Sequence, residues 1–156
     1  MKRATIFSAD RAHRYTLWRE WIGGTGYVQF IGLNPSTADE VQNDPTVRRC
    51  IAFAKAWGYS AMCMTNLFAY RATDPDVMKR QADPVGSLND WALLHVAGQA
   101  SLIVAAWGTH GTHQQRGWRV RGMLEADHHL HCLGRTKDGE PKHPLYLRAD
   151  TRPVPL

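Results

Sequence analysis

Three polar side chains stand where chemistry is possible: Asn34, Asn66 and His143. A carboxamide carries one acceptor and two donors, so Asn66 can read the edge of a pyrimidine bidentately. Asn34, held between an apolar run and Pro35, can bind a water or a polar ligand edge. His143 lies in the polar loop over 136–146, where it can donate a hydrogen bond to charge developing on a leaving group. Phe68 or Tyr70 can stack on a flat ligand, and Arg71 can meet a phosphate. Each residue also has a plainer reading: Asn-Pro is ordinary turn chemistry, a strand-end Asn caps loops, and the aromatics fill cores.

These residues need a scaffold that brings distant segments together. Gly32-Leu33-Asn34-Pro35-Ser36 directly follows the apolar run 27–31, and Asn66 ends the run 62–66. The run 102–106 leads into Trp107-Gly108, and 130–133 leads into Gly134. Each run ends in Asn or Gly with polar residues after it, which predicts four strand ends along one sheet edge. Ligands bind at the carboxyl ends of strands in open α/β sheets. Two further strands are expected over 4–8 and 15–21, as an N-terminal hairpin.

Between the runs the spacing turns helical. Asp44-Pro45 reads as an N-cap followed by Pro at the first helical position, with Val47, Cys50, Ile51, Ala54 and Trp57 at helical intervals. Asp74-Pro75 repeats the signal, Ser87-Leu88-Asn89-Asp90 resembles a capping box, and a last helix is expected over 115–125. Short apolar strands alternating with helices predict a three-layer α/β/α sandwich around a four-stranded, mainly parallel central sheet, with the hairpin as an extension. One domain over 1–156 is expected.

The chain of 156 residues has no apolar run long enough to span a membrane and no secretory leader at its start, so a cytoplasmic location is expected. Cys50, Cys63 and Cys132 lie in apolar contexts and read as free buried thiols. The formal charge of +5 mildly favours an anionic partner. Five histidines cluster over 110–113 and 128–131 with Cys132, but their spacing fits no zinc pattern, so no metal and no cofactor is expected.

The same residues carry two resemblances. Asn34–Asp39, Asn43–Thr46, Asn66–Pro75 and His143–Tyr146 resemble the Asn-Pro-Ser-Thr-Ala-Asp, Asn-Asp-Pro-Thr, Asn-Leu-Phe-Ala-Tyr-Arg-Ala-Thr-Asp-Pro and His-Pro-Leu-Tyr motifs of an uncharacterised bacterial and phage family. That likeness covers nearly the whole chain and brings no activity. Four short patches, Gly32–Ser36, Thr65–Arg71, Ala106–Gly108 and His143–Leu145, are similar in type and order to motifs of the uracil-DNA glycosylase superfamily, above all its mismatch-specific branch.

This second resemblance implies hydrolysis of an N-glycosidic bond to uracil, a thymine-like base or a modified base in single- or double-stranded DNA. It implies that Asn34 positions water, Asn66 reads the extruded base and His143 stabilises the leaving base. Gly32, Leu33, Pro35, Ser36, Phe68, Tyr70, Arg71, Trp107 and Gly108 then contact substrate, with Asp44, Asp74 and Lys142 as candidate further polar contacts. Uracil-specific members carry a bulky aromatic where Ser36 stands, so Ser36 implies a gate open to larger bases. The long loop over 134–142 and Leu145-Tyr146 depart from the superfamily pattern at the segment that wedges into a duplex. Two alternatives stand beside the glycosylase, the first because a carboxamide takes no proton at neutral pH and the second because the chain is small and lacks an obvious duplex wedge. One is a non-catalytic reader of nucleic acid or a modified base on the same fold; the other is a hydrolase or transferase of free nucleotides. A monomer is expected.

Overall fold

The computed structural model describes all residues, 1–156. Its strands are β1 (Lys2–Phe7), β2 (Arg14–Glu20), β3 (Tyr27–Gly32), β4 (Ala61–Asn66), β5 (Leu102–Ala105), β6 (His131–Cys132) and β7 (Val154–Pro155). Its helices are α1 (Pro45–Ala56), α2 (Pro75–Lys79), α3 (Asn89–Ala97) and α4 (Arg116–Glu125), with a 3-10 segment at Thr109–Gln115.

One sheet takes all seven strands, in the order β1-β2-β4-β3-β5-β6-β7. It is mixed. β4, β3, β5 and β6 run parallel to one another, whereas β2 pairs antiparallel with β4 and β7 antiparallel with β6. The expected four-stranded sheet is therefore too small, and the hairpin is not an appendage. β2 is buried along nearly its whole length, as befits an internal strand, and leaves β1 with Lys2 and Arg3 at the edge, where charge discourages further pairing. β7 gives no periodic signal because it is two residues long.

Alternation along the strands divides the core. Val28 and Phe30 of β3, Met62 and Met64 of β4, and Val104 of β5 face α1, whose Val47, Cys50, Ile51 and Ala54 form one stripe. Ile31, Ile103 and Ala105 face the other way, against Leu93 and Ala97 of α3 and Val120 and Leu124 of α4. Asp44 caps α1 as the spacing predicts, its carboxylate accepting the Val47 N–H at 2.9 Å with Pro45 in the first turn. Asp74 likewise caps α2.

The capping box over 87–90 does not form. α3 starts at Asn89 without a side-chain cap, and Asn89 turns inward to donate to the carbonyls of Asn66 and Leu67 at 2.9 and 3.0 Å. That buried amide serves two loop carbonyls, one of them shared with Arg116 Nε, where a cap would serve a single N–H. The parallel register aligns Gly32 with Asn66 and Ile31 with Ala105, so β3, β4 and β5 end at one level. No helix is long and apolar enough to cross a membrane.

Candidate functional site

The loops leaving β3 and β4 are laced together. Leu67 and Phe68 donate backbone N–H groups to Gly32 and Leu33, and Ala72 donates to Pro35. Asn34 joins this ladder: its Nδ2 donates to Ala72 O at 2.8 Å and to Pro35 O at 3.1 Å. Both bonds use the amide nitrogen. The Oδ1 acceptor has no partner, and the half-buried side chain lines the cleft above.

Asn66 sits deeper, 1 % exposed, and neither Oδ1 nor Nδ2 has a hydrogen-bond partner. A buried polar atom without a partner costs about 1–3 kcal/mol, so a carboxamide with two such atoms requires a reason. Gly32 makes room for it. A Cβ there would lie 2.8 Å from Asn66 Oδ1 and 2.7 Å from Met64 Cε. Asn66, Gly32, Arg14, Asp44, Asn34 and His143 line a chamber of about 30 Å³. That suits one water or the polar edge of a flat ligand, not a ring.

The chamber opens into a cleft of about 440 Å³, bordered by Asn34, Ser36, Thr46, Thr73, Gly108 and His143. This size lies within the usual range for small-ligand sites. His143 Nδ1 accepts the Leu145 N–H at 3.2 Å, which puts the proton of the neutral ring on Nε2. Burial pushes its pKa below the ordinary histidine value, and Asp44 offsets part of that shift. The ring is therefore a neutral N–H donor.

Its loop is pinned. Trp107 Nε1 donates to Glu140 at 2.9 Å, and Gly108 N–H donates to Pro141 O at 2.8 Å. Trp107 fits because Gly111 and Gly117 press against it; a Cβ on Gly111 would lie 2.1 Å from its ring.

Two charges flank the chamber. Asp44 spends both oxygens on backbone amides, those of Val47 and Ala38. Arg14 is 2 % exposed, and burial lowers its pKa to about 10, with Asp44 offsetting part of the penalty.

A family model described as a protein of unknown function (DUF1643) matches residues 14–145. The chain belongs to the DUF1643 family. No curated protein and no solved structure matches it. The DUF1643 span contains every residue lining the chamber and leaves out β1 and β7.

Within the DUF1643 domain, Gly32, Leu33, Asn34, Pro35, Ser36, Asn66, Asp44 and His143 meet at one place. Trp107 and Gly108 border the cleft, yet the Trp107 side chain is core, and its effect on the site runs through Glu140. Phe68 does not reach the cleft; it is fully buried beside His113. Tyr70 and Arg71 line a neighbouring open groove with Arg11, and that groove shares Ser36, Ala72 and Thr73 with the site. Asp74 is an exposed helix cap, and Lys142 is exposed with its stem against Gly134. The histidine cluster brings no three metal-ligating side chains together. Sequence reasoning missed Arg14 and Thr46, since nothing local separates Arg14 from Arg19, the other arginine of β2.

Proposed function

We propose that the cleft takes a pyrimidine-type base of DNA or of a nucleotide and hydrolyses its N-glycosidic bond. The observation that carries this reading is the buried, unpartnered Asn66 carboxamide below a free Asn34 Oδ1 and the His143 Nε2–H. The base ring would lie in the outer cleft with only its polar edge in the chamber. There the Asn66 donor and acceptor match a carbonyl next to a ring N–H.

Asn34 Oδ1 would accept from a water and aim it at C1′. The C1′–N bond breaks through an oxocarbenium-like transition state, its electron pair leaving on the base. The water oxygen bonds to C1′ and sheds a proton to solvent, and the base takes one up. His143 stabilises the oxygen on which the leaving base carries charge. Ser36, bonded to Thr73 at 3.3 Å, keeps a small side chain at the mouth, which suits thymine-like and modified bases. Arg71 in the adjoining groove is placed for a phosphate.

The resemblance of the four motifs to the uracil-DNA glycosylase superfamily supports this reading. So do the four parallel strands β4, β3, β5 and β6, the arrangement that superfamily's α/β/α sandwich requires. A second reading, a reader of bases without catalysis, is favoured by Asp44. It is the one carboxylate at the site, and each of its oxygens already accepts a backbone amide, which weakens it as a general base.

Single- and double-stranded oligonucleotides bearing uracil, mismatched thymine, hydroxymethyluracil or hypoxanthine separate the readings, with free nucleotides alongside. Base release, seen as alkali-labile sites and lost in Asn34→Ala and His143→Ala, is expected. Binding without release supports the reader, and release undiminished in both variants removes the site assignment.

A further inference from the structure

Three arginines of this chain are buried, and two are fully explained by their partners. Arg19 makes four hydrogen bonds, to Asn43 Oδ1 and to the carbonyls of Trp18, Asp39 and Gln42. Arg116 donates to Leu67 O and pairs with Asp90 at 2.5 Å. Arg14 differs. Its guanidinium makes one hydrogen bond, from Nη1 to Ala38 O at 2.9 Å. Its Nε is buried without a partner, and it forms no ion pair.

Burying a cation without an ion-pair partner is unfavourable. Asp44, the nearest acid at the site, already uses both oxygens elsewhere. Arg14 and the unpartnered Asn66 face the same small chamber. Two unmet polar groups converging from different strands describe a place prepared for a ligand atom, and their chemistry says which kind. A guanidinium offers only donors, so the atom it meets is an acceptor, and it is bound most tightly when it carries negative charge.

We propose that Arg14 is a catalytic residue of this site, binding through its guanidinium the edge oxygen on which negative charge accumulates, with Asn66 bonding the adjacent edge position. The chamber then selects ligands with an acidic, oxo-bearing edge over ligands that present an amino group, which would set donor against donor. This rests on the base-cleavage reading and adds to it a charged partner for the leaving group besides the neutral His143. It also supplies what Asn34 lacks: without a general base, leaving-group stabilisation must carry the reaction.

Free bases test it without requiring turnover. Uracil, 5-nitrouracil (largely anionic near neutral pH) and cytosine are titrated into the wild type, Arg14→Met, Arg14→Lys and Asn66→Ala by calorimetry. Wild-type protein should prefer 5-nitrouracil to uracil by about tenfold or more and bind cytosine least. The preference should vanish in Arg14→Met and survive in part in Arg14→Lys. A second measurement needs no variant: the Arg14 Nε–H resonance of wild-type protein should move on adding 5-nitrouracil. Equal affinities for the three bases, no binding at all, a preference intact in folded Arg14→Met, or an unmoved Nε–H each overturn the proposal. Base release from oligonucleotides with no Arg14-dependent preference would leave the hydrolase reading standing alone. Arg14-dependent binding without release would do the reverse.

Discussion

Asn66 and Asn89 are both fully buried carboxamides, joined by a hydrogen bond from the Asn89 side chain to the Asn66 carbonyl. Asn89 also holds Leu67 O, whereas the Asn66 side chain holds nothing. Removing them should therefore have opposite consequences. Asn89→Ala takes its donor from the Asn66 carbonyl and leaves Leu67 O with Arg116 Nε alone, and should cost about 1–3 kcal/mol in urea unfolding. Asn66→Ala should cost less than about 1 kcal/mol while abolishing ligand binding, because it removes two unmet groups. Equal losses of stability would mean that Asn66 is structural.

His143 supplies a pH signature. Its folded pKa lies below the unfolded one, so protonation favours the unfolded chain. The stability associated with the neutral ring is complete above about pH 6.5 and is lost as pH falls below that toward the depressed folded value. An NMR titration of the His143 ring should show it titrating below the ordinary histidine value, and His143→Gln should flatten the stability profile in that window. A normal or raised pKa would contradict the donor role. At this scale Asn34 and Asn66 were legible because strand ends mark them, and His143 because it stands in a polar loop after the last central strand. Arg14 was not, since its single hydrogen bond and unmet Nε depend on where residue 38 and residue 44 come to lie.

At the scale of elements, the helix caps show what local chemistry can reveal. Asp44-Pro45 and Asp74-Pro75 announce α1 and α2 because a cap is a contact within four residues. Ser87 misleads for the opposite reason: Asn89 finds better partners across the fold than any cap over 87–90 provides. The β6 strand, expected over 130–133, shrinks to two residues, because its hydrogen bonds depend on how much of β5 and β7 lies alongside. The loop that carries His143 depends on β5 through the Trp107–Glu140 bond. Glu140→Ala should speed amide exchange over 134–145 and weaken ligand binding, with the exchange of β3 and β4 unchanged. Unaltered exchange in the loop would show that the Gly108–Pro141 bond suffices.

At the scale of the molecule, the parallel alignment of β4, β3, β5 and β6 gathers residues more than a hundred positions apart at one edge. Alternating strands and helices made that edge readable. The antiparallel flanks were harder, because strand pairing partners are not written in local periodicity. The positive formal charge of +5 suits a phosphate-bearing ligand. Affinity for a single-stranded oligonucleotide should fall steeply between about 50 and about 200 mM salt, and Arg71→Ala should lower the salt slope by about 1. A slope unchanged by Arg71→Ala would place the phosphate elsewhere.

Where a base sits in this cleft is decided by a crystal structure with an uncleaved substrate. A 2′-fluoro-deoxyuridine oligonucleotide resists loss of its base because fluorine disfavours the oxocarbenium. The base edge should lie in the chamber within about 2.7–3.2 Å of Asn66 and Arg14, with Asn34 and His143 on either side of the glycosidic bond. A base bound elsewhere, with the Asn66 carboxamide still unpartnered, would contradict this placement.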